Sequence, residues 1–371
     1  MLIGIDGNEA NINNRVGVGQ YAFNLLKNIY LLDKKNQYII YLKNPPLSDL
    51  PKERENWHYK VFGPQKLWTK IALPIHLFTQ KETLDLFYSP SHYSPEFSPC
   101  PTIPTIHDLG YLQFQSQFTK KDLYQLINWT KKSIKKAKHI ITVSNFSKTE
   151  IEKTYKINPK KITIAYNGVD NPPEISLNNQ TKILKKFNLN SKKYYLYLGT
   201  LKPNKNIPFL ISAFARYLSE TKQNSKLVIA GKKGWLFNEI FETVKKEGVE
   251  QNIIFTDFID EFEKWTLYNN AQALIMPSFY EGFGIPVIEA MKLNTPVISS
   301  NIAPLKEVIE NNGLYFNPKK QNELVEQLIN FEKLDNGRIK EMVNKAKDRA
   351  DLFTWSNTAK SVIAVFESFK K

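Results

Sequence analysis

The chain has 371 residues, 42% of them hydrophobic and 13% aromatic, which exceeds one ordinary core and suits two folded domains rather than a disordered segment. Its single cysteine, Cys100, excludes a disulfide framework within the chain and fits a reducing compartment. The net charge of +15 points to anionic partners, but no helix-turn-helix, RNA-binding or zinc-finger pattern accompanies it, so no nucleic acid is expected.

The opening Met1-Leu-Ile-Gly-Ile-Asp6 has no basic region before its apolar run, and Asp6 ends that run at once. It reads as a first strand over 2–5 rather than a signal peptide. No apolar run approaches the roughly 20 residues that cross a bilayer, so a cytoplasmic location is expected, with room for peripheral attachment to the inner face of the cell membrane. Arg15-Val-Gly17-Val-Gly19-Gln-Tyr21 then opens a helix over 19–32. Its glycines let a backbone approach a ligand closely, and a helix start favours an anion. The segment lacks the third glycine of the dinucleotide fingerprint and follows its strand too late for one.

Strands are predicted at 38–41, 59–62, 84–88 and 102–106. Between the second and third, Lys66 to Phe78 carries aromatic and basic residues that read as exposed. Asp85-Leu-Phe-Tyr-Ser-Pro-Ser-His92-Tyr93 and His107-Asp108 lie at strand ends, which in open α/β sheets point into the ligand crevice. A histidine there suits donation to a sugar hydroxyl or stabilisation of developing charge. A helix over 120–137 places Leu123, Ile127, Thr130, Ile134 and Ala137 in one mostly apolar stripe. Lys131, Lys132, Lys135, Lys136 and Lys138 occupy the rest, as a solvated back or a docking face for anionic lipid. Strands at 139–143 and 162–165 complete this half.

Asn167-Gly-Val-Asp-Asn-Pro-Pro-Glu174 and Leu177-Asn-Asn-Gln180 are rich in turn formers and mark a boundary near residue 170. Beyond it, strands at 195–198, 227–229, 253–255, 273–276, 297–299 and 314–316 each precede a helical pattern. Repeated β-α units call for parallel sheets covered on both faces, hence an α/β chain of two Rossmann-like domains, 1–170 and 171–354, with a cleft between them. Gly199-Thr200-Leu-Lys-Pro-Asn204-Lys205-Asn206 follows the first strand of the second domain. Asn206 is the expected N-cap of the next helix, and Lys205 adds a mobile positive charge beside it.

The densest signal is Ser278-Phe-Tyr-Glu281-Gly282-Phe283-Gly284-Ile285-Pro286-Val-Ile-Glu289-Ala-Met291. A strand stops at Pro277, glycines follow, and Pro286 suits the first turn of a helix. The backbone N–H groups of Gly282, Phe283, Gly284 and Ile285 are expected to point at an anion. Two carboxylates beside such a loop are poor phosphate ligands but good acceptors for sugar hydroxyls. Together they describe a site for a sugar attached to a diphosphate.

Glu281-x7-Glu289 within E-G-F-G-I-P-V-I-E-A-M resembles the signature of the retaining nucleotide-sugar glycosyltransferases of family 4, and the likeness covers nearly the whole chain. It implies the GT-B architecture, two Rossmann-like domains whose parallel sheets face a central cleft. Domain 1–170 would serve the acceptor and 171–354 the nucleotide sugar, with the last helix, about 355–371, packing back on the first. Glu281 would bind hydroxyls of the donor sugar and Glu289 those of the ribose, while Lys205 and the loop 282–285 hold the diphosphate. The segment at 199–206 resembles the family's G-T-L-x-P-R-K-N loop, yet Asn204 stands where arginine is usual, and many relatives carry arginine at Thr200. Lys205 is thereby left most of the cationic role. Gly17 and Gly19 match a G-V-G/G-I-G loop that meets the diphosphate across the cleft. His107 matches a histidine that contacts the transferred sugar, and Asp108 would orient its loop. His92 and Tyr93 border the acceptor pocket, and Gly231, Lys232 and Phe258 neighbour the base. Catalysis would thus rest on His107, Glu281 and Lys205.

G-V-G-Q-Y, T-I-H-D, G-T-L-K-P-N-K-N and L-V-I-A-G-K-K-G-W resemble bacterial mannosyltransferases of surface-polysaccharide assembly. GDP-mannose is therefore the leading donor, ahead of UDP-sugars, and the acceptor a glycan or lipid-linked hydroxyl. Membrane-associated relatives use the first domain to reach lipid-linked acceptors. No Asp-x-Asp occurs, so neither a bridging metal nor a cofactor beyond the co-substrate is expected. Charge on the leaving group then falls to Lys205, loop amides and helix dipoles. Two rivals are a non-catalytic nucleotide-sugar-binding partner, suggested by Asn204, and an NAD(P)-dependent oxidoreductase, disfavoured by the missing G-x-G-x-x-G.

Overall fold

The computed structural model describes residues 1–234 and 237–370. It divides into two compact units, Met1–Gly168 with Phe353–Lys371, and Val169–Leu352. Among the described residues of the first unit, strands β1 (Leu2–Asp6), β2 (Gln37–Leu42), β3 (Trp57–Val61), β4 (Leu86–Ser89), β5 (Thr102–Ile106), β6 (Ile140–Thr142) and β7 (Ile162–Ile164) form a sheet in the order β3-β2-β1-β4-β5-β6-β7. In the second, β8 (Tyr194–Leu198), β9 (Lys226–Ala230), β10 (Ile253–Asp257), β11 (Ala273–Met276), β12 (Val297–Ser300) and β13 (Leu314–Phe316) run β10-β9-β8-β11-β12-β13. Every pairing between these strands is parallel.

Runs such as Ile39-Ile40-Tyr41-Leu42 and Leu274-Ile275-Met276 are buried without alternation, because helices cover both faces of each sheet. Strand order reverses between β1 and β4 and again between β8 and β11. Ligands of such sheets gather outside the strand C-termini at that switch.

Three local differences from the sequence reading have physical causes. β3 starts at Trp57, earlier than the apolar run suggests, because Trp57 is fully buried against Tyr30 and Tyr38. β6 is cut to Ile140–Thr142 because the chain leaves the sheet to place Ser144, whose hydroxyl accepts from Ser147 N–H and caps the helix Asn145–Tyr155. The segment 66–78 is only partly exposed. Trp68 is buried, its indole N–H donating to the Phe62 carbonyl at 3.0 Å. The helix Ala72–Thr79 buries Leu73 and Leu77 and leaves Ile75 and Phe78 outside, together with Leu67 and Ile71 ahead of it.

The helix Lys120–Lys136 buries Thr130 and Ile134, with Leu123 and Ile127 against the same core, and its lysines are exposed. Lys132 is bonded to Glu96 at 2.9 Å, and Lys136 lies 3.9 Å from the same carboxylate. The last helix, Trp355–Glu367, belongs to the first unit and packs on the helix Val18–Leu32, with Trp355 edge-on to Tyr21. Gly168 lies under its start, where an added Cβ would meet Trp355 N at 2.1 Å. Among the described residues no helix is long and apolar enough to cross a membrane.

Candidate active site

The loops leaving β8 and β11 carry the densest chemistry. Residues 199–206 are fastened to the loop after β9: Gly199 N–H donates to Ala230 O, and Leu201 N–H to Lys232 O, each at 2.9 Å. Thr200 is partly buried between them. Gly231, at φ 140°, leaves no room for a side chain, since a Cβ there would lie 2.2 Å from Gly199 O. The loop is tied to the other side by Asn204, whose carbonyl accepts from Phe279 N–H at 2.9 Å. Asn206 precedes the helix Ile207–Thr221 but does not cap it. It is left-handed at φ 57°, and its amide instead donates to the carbonyls of Pro277 (3.2 Å) and Pro318 (3.0 Å).

These ties bring Lys205 against Glu281. The ammonium lies 2.6 Å from Glu281 Oε1, and the Ser278 hydroxyl donates to the same oxygen at 2.7 Å. With the lysine side chain only 15% exposed and the glutamate 11%, Lys205 is not the mobile charge read from the sequence. It is a fixed, paired one. An ammonium has three N–H donors, so two remain for a further acceptor. Ser278, which nothing in the motif singled out, completes the clamp.

Gly284, at φ 110°, turns the chain into the helix Ile285–Lys292, where Pro286 occupies the first turn. Gly282 and Phe283 make further interactions of their own. Glu289 is 8% exposed, and both its oxygens are held from the helix Glu261–Asn270: Oε1 by Lys264 at 2.8 Å, Oε2 by the Tyr268 hydroxyl at 2.9 Å. Burial works against the charge on Lys264, yet the Glu289 and Glu261 carboxylates raise its pKa above the ordinary lysine value. Neither Lys264 nor Tyr268 belongs to a recognisable motif. Their spacing of four on a helix was the only signal. Gly231, Lys232 and Phe258 do come together, with the Lys232 ammonium 4.5 Å over the half-exposed Phe258 ring. Trp235, which ends the resemblance at 227–235, lies outside the described residues.

In the first unit, Gly17 precedes the helix Val18–Leu32 at φ 51°, and Gly19 is buried, an added Cβ lying 3.1 Å from Glu9 O, a tight contact that a neighbour would have to relieve. Arg15 shapes this loop. It grips Asp49 through two bonds (2.5 and 2.9 Å), donates to Ala10 O and stacks on Phe23. At the switch-point side of the sheet, His107 Nε2 meets Pro90 O at 3.1 Å, and a carbonyl only accepts, so Nε2 carries the proton and Nδ1 the lone pair. His92 Nε2 accepts from His107 N–H at 3.3 Å, its ring stacked 5.7 Å from that of His107. Loss of hydration pushes both histidines down to about 4, for His107 with help from neighbouring His92.

Two sequence readings change here. His107 is a neutral ring with its donor already committed, so it supplies neither a positive charge nor a free N–H. His92 turns one nitrogen to the backbone, and its Nδ1 is buried without a partner. Tyr93 sits edge-on to Trp129 at 5.5 Å. Among the described residues no group of three or more His, Cys, Asp or Glu side chains is placed to hold a metal ion.

Comparison with known proteins settles the class. The family model described as Glycosyltransferase Family 4 matches residues 37–171, and the one described as Glycosyl transferases group 1 matches 178–350. The chain belongs to the glycosyltransferases. This glycosyltransferase is 27% identical over 288 residues to O-antigen chain mannosyltransferase B of Escherichia coli, covering 76% of this chain and 74% of the relative. It is 32% identical over 230 residues to O-antigen chain mannosyltransferase RfbU of Salmonella typhimurium, covering 62% and 60%. Its structure superposes on that of HepE from Anabaena, in complex with UDP and glucose, with a TM-score of 0.75 over 99% of each chain. At 17% identity that likeness shows the fold, which is GT-B.

Proposed function

We propose that this glycosyltransferase moves a sugar from a nucleoside diphosphate sugar to a hydroxyl of a glycan or lipid-linked acceptor, with retention of configuration and without a bridging metal. The observation that carries the reading is the contact between Lys205 and Glu281 at the switch point of the second sheet. A cation suited to a diphosphate and a carboxylate suited to sugar hydroxyls are adjacent, as they must be on either side of a sugar–phosphate bond. Glu281 holds donor-sugar hydroxyls, Lys205 and the loop 282–285 the diphosphate, Glu289 the ribose, and Lys232 with Phe258 lie beside the base. Gly17 and Gly19 stand where the family resemblance assigns phosphate binding, and His107 offers Nδ1 as an acceptor for a sugar hydroxyl. The acceptor oxygen attacks from the face the phosphate leaves, and its proton passes to the departing phosphate oxygen.

Mannose from GDP-mannose is the leading donor, supported by the mannosyltransferase names of both curated relatives. The UDP and glucose bound by HepE support a UDP-sugar as second reading. Thermal shift across GDP- and UDP-sugars, followed by transfer to a lipid-linked acceptor, tests both, because a tight ligand raises the melting temperature by mass action. Stabilisation by neither class refutes the donor assignment. Attachment to an anionic membrane surface is supported by the exposed Leu67, Ile71, Ile75 and Phe78, with Lys70 stacked 4.0 Å over Trp129 joining them to the lysine-rich helix.

A further inference from the structure

Glu289 needs more than its own charge to select a ribose. A carboxylate that recognises two vicinal hydroxyls must hold one plane, and a buried one keeps its charge only where donors compensate it. Here both oxygens already accept one bond each, from Lys264 and from the Tyr268 hydroxyl, which leaves each oxygen another lone pair. The two donors lie one turn apart on the helix Glu261–Asn270, whose start is locked by a capping box: Glu263 N–H donates to Asp260 at 2.8 Å and Asp260 N–H to Glu263 at 3.1 Å. Lys264 is held in turn by Glu261 at 2.8 Å and by the Trp265 ring at 4.7 Å.

We infer that Lys264 and Tyr268 are positioning residues that fix the Glu289 carboxylate in the orientation that distinguishes ribose from 2′-deoxyribose in the nucleotide. The inference rests on the reading of Glu289 as the ribose ligand. A purely structural ion pair would affect stability and leave the choice of sugar alone, so ribose selection is the informative readout.

Calorimetric titration of the full chain with GDP, UDP and their 2′-deoxy forms tests it. Wild type should prefer the ribonucleotide by about tenfold, the effect of one hydrogen bond to a charged group. Glu289→Ala should abolish the preference. Lys264→Met and Tyr268→Phe should each reduce it below about threefold, and Lys264→Arg should restore part of it. Tyr268→Phe removes a single oxygen, so it keeps the test open if Lys264→Met does not fold. A full preference in folded Lys264→Met or Tyr268→Phe, alongside its loss in Glu289→Ala, overturns the positioning role and leaves the ribose reading standing. Absence of any preference in wild type overturns the ribose reading, and the positioning role with it.

Discussion

Replacing Glu281 by glutamine should do two opposite things. The side chain keeps its shape, and the amide oxygen still accepts from Ser278 and Lys205, so the fold is retained. Only the negative charge leaves, and it sits 2.6 Å from the ammonium proposed to hold the diphosphate. A phosphate oxygen bound to another N–H of that ammonium would lie about 4–5 Å from the carboxylate. At an effective dielectric constant of about 20, that repulsion is roughly 3–4 kcal/mol. Solvent access and reorientation reduce it to about 1–2 kcal/mol, so free GDP or UDP should bind about five- to thirtyfold tighter to Glu281→Gln. Transfer should fall in the same variant by roughly 2–4 kcal/mol of transition-state stabilisation, because the charged bond to the sugar is lost. Calorimetry gives the first quantity and single-turnover kinetics the second. Unchanged or weaker nucleotide binding refutes the shared role of Lys205, and near-wild-type turnover refutes the sugar contact.

The remaining expectations concern charge, metal, pH and surface. Lys205→Ala and Glu289→Ala should each weaken binding of the free nucleoside diphosphate; if both bind it normally and lose only sugar discrimination, the two roles are misassigned. Transfer should survive saturating EDTA, and complete loss restored by magnesium or manganese would contradict the metal-free reading. His92 and His107 titrate near 4 when folded and near their ordinary 6.5 when unfolded, so between those values the unfolded chain binds more protons and stability falls as pH drops. Urea unfolding should show that decline flattened in His92→Asn with His107→Asn, and an equal slope argues against buried neutral rings. The first unit's exposed apolar row and lysines should bind anionic vesicles in a salt-sensitive way, read by co-sedimentation. Equal, negligible pelleting with neutral and anionic lipid would point to a soluble acceptor.

What the sequence disclosed follows from the range of the forces involved. Continuous apolar runs such as Leu274-Ile275-Met276 are legible as strands because a sheet covered on both faces buries every residue of its strands, so the signal lies in the run itself. The glycine and proline punctuation around Glu281 is equally local, since backbone conformation at Gly284 depends on Gly284. Partnership is not local. Lys205 and Glu281 stand 76 residues apart, and the ion pair that fixes the lysine exists only because β8 and β11 are neighbours at the switch point. From residues 199–206 alone, a lysine in a polar loop reads as mobile. Lys264 was harder still, because its partner Glu289 lies on another helix and nothing in Glu261-Phe-Glu-Lys264-Trp-Thr-Leu-Tyr268 announces a buried cation. The histidines differ in the opposite direction: strand ends do face ligand crevices, but the His107 Nε2–H already donates to the nearby Pro90 carbonyl. A motif therefore tells where chemistry is placed, whereas the charge and donor state of each group is decided by whichever distant residue the topology brings beside it.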